Sequence, residues 1–296
     1  MNYIEFTDYI RTAVDEAVVG DHRVEIKKVV KNNNCERMAV VISREGKCVA
    51  PTIYLEEFYD KYRMGISLDI IINEIIEIDI NNSDKLDIDV AQIMNFEIMR
   101  ERIRCRIVNY ESNSTVLNDV PYRTEMDLAI EYYININDNG FEAMTTLIHN
   151  RCMEHWGINE DELFEIAWNN TVRDGTLIIP IEQLVLNEDL DINSKMYVVT
   201  NQRKLYGAIH GFLPDTIEKL EEMFGDFYIL PSSVHEVIVL AADVVEDEEY
   251  IVNMVKDVNE TQLTCEEILS NNVYKYEKSG KSLHMVNKIK FATQQD

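Results

Sequence analysis

From Met126 to Ile136 the chain alternates without a break. Met126, Leu128, Ile130, Tyr132, Ile134 and Ile136 fall on one side, and Asp127, Ala129, Glu131, Tyr133 and Asn135 on the other. A period of two suits a β-strand and no helix, because successive strand side chains point to opposite faces. The pattern predicts a long strand with one buried face, closed by the turn residues Asp138-Asn139-Gly140. The rest of the fold has to supply a sheet around it.

The flanking segments mix both periods. Tyr3, Phe6, Ile10, Ala13 and Val14 recur at helical spacing, while Val24, Ile26, Lys28 and Val30 alternate, with Met38 to Ile42 as the next strand and Glu45-Gly46-Lys47 as a turn. Leu55, Phe58, Tyr59 and Tyr62 mark a helix ending near Gly65. Ser67 can cap another, with Leu68, Ile71, Ile72 and Ile75 on its apolar face. Residues 79–95 are polar and carry no stripe, so 81–89 is expected to be a loop and a domain boundary.

Beyond the long strand, Phe141, Met144, Ile148 and Cys152 suggest a helix ending near Gly157. Asn159 and Glu162 form a capping-box pattern ahead of Leu163, Ile166 and Ala167. Met196 to Thr200 and Leu205 to Ile209 suggest strands. Asp215 and Glu218 suggest a capping box for a helix lined by Ile217, Leu220 and Phe224 and stopped by Gly225. Phe227 to Leu230 and Val234 to Leu240 suggest strands around the turn Pro231-Ser232-Ser233. Ile251, Met254, Val255 and Val258 define a late helix, and the tail from Lys275 holds five lysines and little core material. Strands and helices interleave without a βαβ rhythm or a fixed repeat. The expectation is an α+β fold of mixed helices and mostly antiparallel sheets, in one or two domains: an α+β domain over 1–95 and another over 96–296.

Charge narrows the classes of function. The chain carries 54 acidic and 28 basic side chains, a net charge of −26, and the excess is spread evenly: net −7 over residues 1–100, −11 over 101–200 and −8 over 201–296. Such a field repels nucleic acid and anionic membranes, so neither is expected to bind directly. It suits solubility, a basic protein partner, or imitation of nucleic acid. No apolar run nears the roughly 18 residues a membrane helix needs, and Glu5, Asp8, Asp15 and Glu16 interrupt the first segment as no signal peptide would. The five cysteines (Cys35, Cys48, Cys105, Cys152, Cys265) are scattered and include no CxxC pair, so a disulfide framework is not expected. The expected location is the cytoplasm, where the sequons at Asn113, Asn169 and Asn259 carry no meaning.

Reactive residue types form few patterns. Gly280-Lys281-Ser282 ends like a phosphate-binding loop, but the glycine required five residues earlier is Lys275. Asp189, Asp191 and Asn193 have calcium-loop spacing, but Ser194 and Thr200 stand where glycine and glutamate are needed. His149, Cys152 and His155 lie three apart on a helix, too far around it for all three to meet one metal; no metal site or cofactor is expected.

Two features merit weight. Arg100, Arg102, Arg104 and Arg106 alternate, which on a strand would place four guanidiniums on one face. That row could bind a small anion, or pair with Glu97, Glu101 or an acidic neighbouring strand. Ser232, Ser233, His235 and Glu236 gather a possible nucleophile and base, the ingredients of a hydrolase. Ser233 and His235 would share a strand face about 7 Å apart, too far for a direct pair unless the chain bends, and no GxSxG elbow is present.

Several strings together resemble a family of bacterial proteins known only as a domain of unknown function and common in gut clostridia. They are Val29-Val30-Lys31-Asn32-Asn33, Pro51-Thr52-Ile53-Tyr54-Leu55 with Phe58-Tyr59, Arg106-Ile107-Val108-Asn109, Asp127-Leu128-Ala129-Ile130, Met153-Glu154-His155-Trp156-Gly157, Thr200-Asn201 with Gly207-Ala208, and the run from Asp226 to Val237. The resemblance spans nearly the whole chain and implies a cytoplasmic bacterial protein. It implies no activity and carries no functional residues over. The favoured expectation is a non-catalytic interaction or accessory protein with an acidic surface, in its sharpest form a nucleic-acid mimic. The alternatives are the Ser/His hydrolase and the small-anion binding domain.

Overall fold

The computed structural model describes residues 1–45, 50–83, 90–137, 144–186 and 194–286. The chain divides into two compact units, Met1–Asn95 and Phe96–Asp296.

In the first unit, Asn2 and Glu5 form a reciprocal capping box at the start of α1 (Tyr3–Ala17), which buries Phe6, Ile10 and Val14. An antiparallel meander follows, β1 (His22–Val30), β2 (Glu36–Arg44) and β3 (Thr52–Tyr54). Then come α2 (Glu56–Arg63), α3 (Leu68–Ser83) and the short α4 (Val90–Ile93). Gly65 separates α2 from α3 at φ +92°, a backbone that only glycine adopts without strain. The core joins Phe6, Ile10 and Val14 to Val24, Val40 and Ile42 of the sheet and Ile71, Ile72 and Ile75 of α3. Asp79, fully buried, bonds Arg44. The expected loop begins too early, because Asn81 to Ser83 still belong to α3; residues 84–89 lie outside the described residues.

The second unit holds two sheets. After α5 (Phe96–Met99) come β4 (Ile103–Asn109), α6 (Ser114–Leu117), β5 (Tyr122–Glu125), β6 (Leu128–Asn137) and β7 (Met144–Leu147). Strand β6 is the long alternating strand. It pairs with β4 along one edge and with β5 and then β7 along the other. Met126 adopts φ +55° in the turn before it, so the strand starts at Leu128. Both of its faces are buried, against the expectation of one: Ala129, Glu131, Tyr133 and Asn135 are all enclosed. Helix α7 (Asn150–Trp156) ends on Gly157 in the left-handed region, and α8 (Glu160–Arg173) starts from Asn159, whose side chain accepts the Glu162 N–H. Helix α8 covers the free edge of β4. Thr171 Oγ1 accepts the Cys105 N–H at 2.9 Å, and Asn170 Nδ2 donates to the Ile103 carbonyl at 3.0 Å, so that edge offers no open ladder.

The remaining elements are β8 (Thr176–Pro180), α9 (Ile181–Leu186), β9 (Met196–Asn201), a 3₁₀ segment (Gly207–Phe212), α10 (Pro214–Phe224), β10 (Phe227–Pro231), β11 (Val237–Ala241), α11 (Glu248–Gln262), β12 (Tyr274–Glu277) and β13 (Ser282–Met285). The second sheet runs in the order β13-β12-β10-β11-β9-β8. Helix α11 packs Ile251 and Val255 against Tyr228, Leu230 and Leu240. All strand pairs among the described residues are antiparallel, and the fold is α+β. No helix among the described residues is long and apolar enough to cross a membrane.

Several local expectations give way. Met144 to Leu147 form a strand, because β6 extends past β5 and leaves an edge to pair; Phe141 lies outside the described residues. Leu205 to Ile209 are not a strand: Tyr206 takes φ +51° and the chain turns into the 3₁₀ segment, buried all round. Helix α10 is entered through Pro214, with Leu213 at the cap position and no side-chain cap, so Asp215 and Glu218 form no capping box. Strand β11 starts at Val237 because residues 232–236 turn. The lysine-bearing tail contributes core: Tyr274 and Tyr276 point inward from β12, and Lys275 between them bonds Glu248 at 2.8 Å. Gly280-Lys281-Ser282 is the β12–β13 turn, with Lys281 at φ +47°. Asp189, Asp191 and Asn193 lie outside the described residues.

Candidate functional site

The arginine row is split by secondary structure. Arg100 and Arg102 lie in a 3₁₀ turn, while Arg104 and Arg106 sit on β4 two residues apart and so on one face. Arg100 pairs with Glu97 at 3.4 Å, and Arg102 donates to the Ile136 carbonyl at 2.7 Å. Arg104 is buried. Its Nε and Nη2 reach both Asp174 oxygens, at 2.8 and 3.1 Å, and its Nη1 donates to the Glu101 and Ile103 carbonyls. Arg106 stands directly across the β4–β6 ladder from Glu131 and bonds it at 2.5 Å. Burial disfavours the Arg106 charge, and Glu131 together with Tyr206 and Tyr133 more than offsets it.

The second singled-out feature meets the first through a residue the sequence reading passed over. The Arg106 guanidinium lies 4.5 Å from the centroid of the Tyr206 ring. The Tyr206 ring in turn stacks on His235, with centroids 5.5 Å apart and planes at 15°. Tyr133 meets Tyr206 edge-on at 5.1 Å. The left-handed backbone at Tyr206 aims its N–H at His235 Nδ1, 3.1 Å away. Gly207 makes this possible: a Cβ there would lie 2.2 Å from Thr200 Oγ1, 2.6 Å from the Asn201 nitrogen and 2.7 Å from the His235 carbonyl. A Tyr-Gly pair at a turn between apolar residues was the available signal, and it is weak.

These bonds fix the chemistry of the cluster. A backbone N–H at Nδ1 places the neutral His235 proton on Nε2, so the ring presents a donor and its lone pair is spent. Burial keeps His235 below the usual histidine range; Glu267 opposes the shift and Arg106 adds to it. Ser233 Oγ accepts the backbone N–H of His235 at 3.0 Å, and the Ser233 N–H donates to the Glu236 carbonyl. The turn therefore joins Ser233 to the backbone of His235, and not to its ring. Ser232 is half-buried beside them. A hydrolase using these groups would first have to free His235 Nδ1 from Tyr206.

A second histidine was not foreseen. His210, fully buried in the 3₁₀ segment, has Nδ1 2.9 Å from Thr176 Oγ1, which lies 3.3 Å from Thr216 Oγ1. Its Nε2 is buried without a hydrogen-bond partner. Burial pushes its pKa down to about 4, with Asp174 opposing. A histidine taking the Thr176 proton would become a buried cation with no acceptor at Nε2, which makes it a poor base. His149 bonds Asp119 at 2.9 Å, away from this cluster. No group of three or more His, Cys, Asp or Glu able to hold a metal is found among the described residues.

The fold and the cluster define an α+β protein of two units whose second unit encloses arginines neutralised by carboxylates. Residues 3–278 match the model of DUF5688, a family of unknown function, and the chain belongs to that family. Neither the curated proteins nor the solved structures contain a match.

Proposed function

We propose that the chain is a cytoplasmic, non-catalytic interaction protein whose acidic surface receives a basic protein partner. The observation behind this reading is how the charges are used. Arg104 and Arg106 are turned inward onto Asp174 and Glu131, and Ser233 and His235 are held by backbone bonds. Meanwhile carboxylates such as Glu97, Glu101, Asp119 and Asp161 are exposed. With 26 more acidic than basic side chains, the exterior attracts cationic surfaces over about a Debye length, ~8 Å at physiological salt. Nucleic-acid mimicry is the sharper form: the chain would displace DNA or RNA from a basic protein.

Affinity capture from the source cells at physiological salt, followed by titration of the captured protein, tests the reading. A stoichiometric complex that weakens as salt rises is expected. Capture of no partner, together with turnover of an ester or phosphoester that His235→Ala abolishes, would overturn it in favour of the hydrolase.

A further inference from the structure

The sheet of the first unit ends on an open strand. Its order is β1-β2-β3, and among the described residues no strand pairs with the other side of β1. The hairpin shows which backbone groups of this nine-residue strand face outward. The Lys31 N–H donates to the Cys35 carbonyl at 2.7 Å, so Lys31 turns towards β2, and with it Val29, Lys27, Glu25 and Arg23. His22, Val24, Ile26, Lys28 and Val30 turn their N–H and C=O groups the other way. Met38 agrees. It stands across from Lys28, and its carbonyl points away from β1 to accept the Leu55 N–H at 2.9 Å.

Helix α1 does not close this edge. Its C-terminal end lies at the start of β1, where Asp15 meets His22. Its N-terminal end lies past β3, where the Tyr3 hydroxyl donates to Glu56. The helix therefore crosses the sheet diagonally and leaves the second half of β1 behind. There Ile26 is half-buried, and Val30, on the same side, is 46% exposed. On the other side of the strand Glu25 stands between Arg23, at 2.8 Å, and Lys27, at 3.8 Å. A long open strand with uncovered aliphatic side chains is a template for another strand.

The strand is complementary to itself. Its middle residue, Ile26, faces outward. Set antiparallel to a second copy about a two-fold axis at Ile26, the whole of β1 is paired. Ile26 meets Ile26, Val24 meets Lys28 and His22 meets Val30 as hydrogen-bonded pairs, while Glu25 meets Lys27 in the closer non-hydrogen-bonded positions, once on each side of the axis. Moving the axis one residue either way sets Glu25 against Glu25 or Lys27 against Lys27, like charges that oppose pairing. We propose that the open edge of β1 docks a second copy of the chain, β1 against β1, about this axis. The contact is separate from the basic partner proposed above. Strand β1 carries Arg23, Lys27 and Lys28 against Glu25 alone, so the copies meet on a strand that does not share the acidic excess of the chain.

Sedimentation of the full chain over a range of concentrations tests the contact. Monomer and dimer in exchange are expected. Lys27→Glu and Glu25→Lys should each weaken the dimer about tenfold or more, because each turns two attractive cross-strand pairs into two repulsive ones. Combined in one chain, or mixed as two separate variants, they should restore it, since opposite charges again face each other. Lys219→Glu, which changes net charge equally at an exposed position on α10, should leave the dimer within about twofold of the parent. Lys28→Pro should weaken dimerisation while keeping the parent circular dichroism, because the Lys28 N–H faces outward and proline there takes nothing from the β1–β2 ladder. A chain that is monomeric at every concentration would overturn the proposal and leave Lys27 and Lys28 as guards of the edge. So would a dimer that the β1 variants leave unchanged, or a loss that neither the double variant nor the mixture repairs.

Discussion

Replacing Glu131 with alanine should be among the most damaging single changes in the second unit. Glu131 is 1% exposed in the central strand β6, with Arg106 opposite it on β4 and Tyr122 opposite it on β5. Its carboxylate is the acceptor for both Nε and Nη2 of Arg106. Removing it leaves a guanidinium that cannot shed its proton, held between Tyr206 and a closed sheet. Breaking one side of a buried pair costs about 3–5 kcal/mol. In a unit of this size that lowers the melting temperature by about 6–20 °C. Both tryptophans, Trp156 and Trp168, lie in the second unit, so thermal unfolding followed by tryptophan fluorescence reports on that unit. The double variant Arg106→Met/Glu131→Leu removes both charges together and should recover most of the loss, because an apolar replacement of a buried pair is close to neutral. A Glu131→Ala transition within about 2 °C of the parent, or a double variant no better than the single one, would refute the argument.

Two other perturbations probe the same region. Gly207→Ala should cost about 1–3 kcal/mol or more, and more than Gly211→Ala. At Gly207 the new methyl meets backbone atoms of Asn201 and His235, whereas at Gly211 it meets only the Val237 side chain; the reverse order in urea denaturation would contradict the packing described. His210 should give stability a pH dependence of definite sign. Its folded pKa, about 4, lies below the ordinary 6.5, so the unfolded chain takes up the proton first as pH falls. Stability is then full above about pH 6.5 and declines towards pH 4, by up to about 3 kcal/mol. His210→Asn should flatten the part of the slope between about pH 6.5 and 5, where carboxylates contribute little; an unchanged slope would show that His210 is not held neutral by burial.

The long strand and most helices were legible because their cause is local. Phe6, Ile10 and Val14 repeat at the helical period, and Leu128 to Ile136 at the strand period. What misled was any segment whose conformation is decided by a distant partner. Met144 to Leu147 fit a helical stripe until β6 offers them an edge. Leu205 to Ile209 pass for a strand because a 3₁₀ turn buried on all sides leaves the same apolar run. The polar face of β6 looked like a solvent face; an acidic neighbouring strand was one expected partner of the arginine row, but nothing in Glu131 or Asn135 marked β6 as that strand. The candidate site was half visible. Arg104, Arg106, Ser233 and His235 stood out by residue type, but Tyr206 and His210, which tie those features to the core, had neither spacing nor charge to mark them.

The buried arginines and the excess of acidic side chains belong to one arrangement. Residues 101–200 hold 18 acidic and only 7 basic side chains, the steepest imbalance in the chain. Two of those seven, Arg104 and Arg106, are withdrawn into the interior, and Arg123 is spent on the first turn of α8. Each is satisfied by a carboxylate or an aromatic face of the same unit, whereas Arg102, Arg151, Arg173 and Lys195 stay exposed.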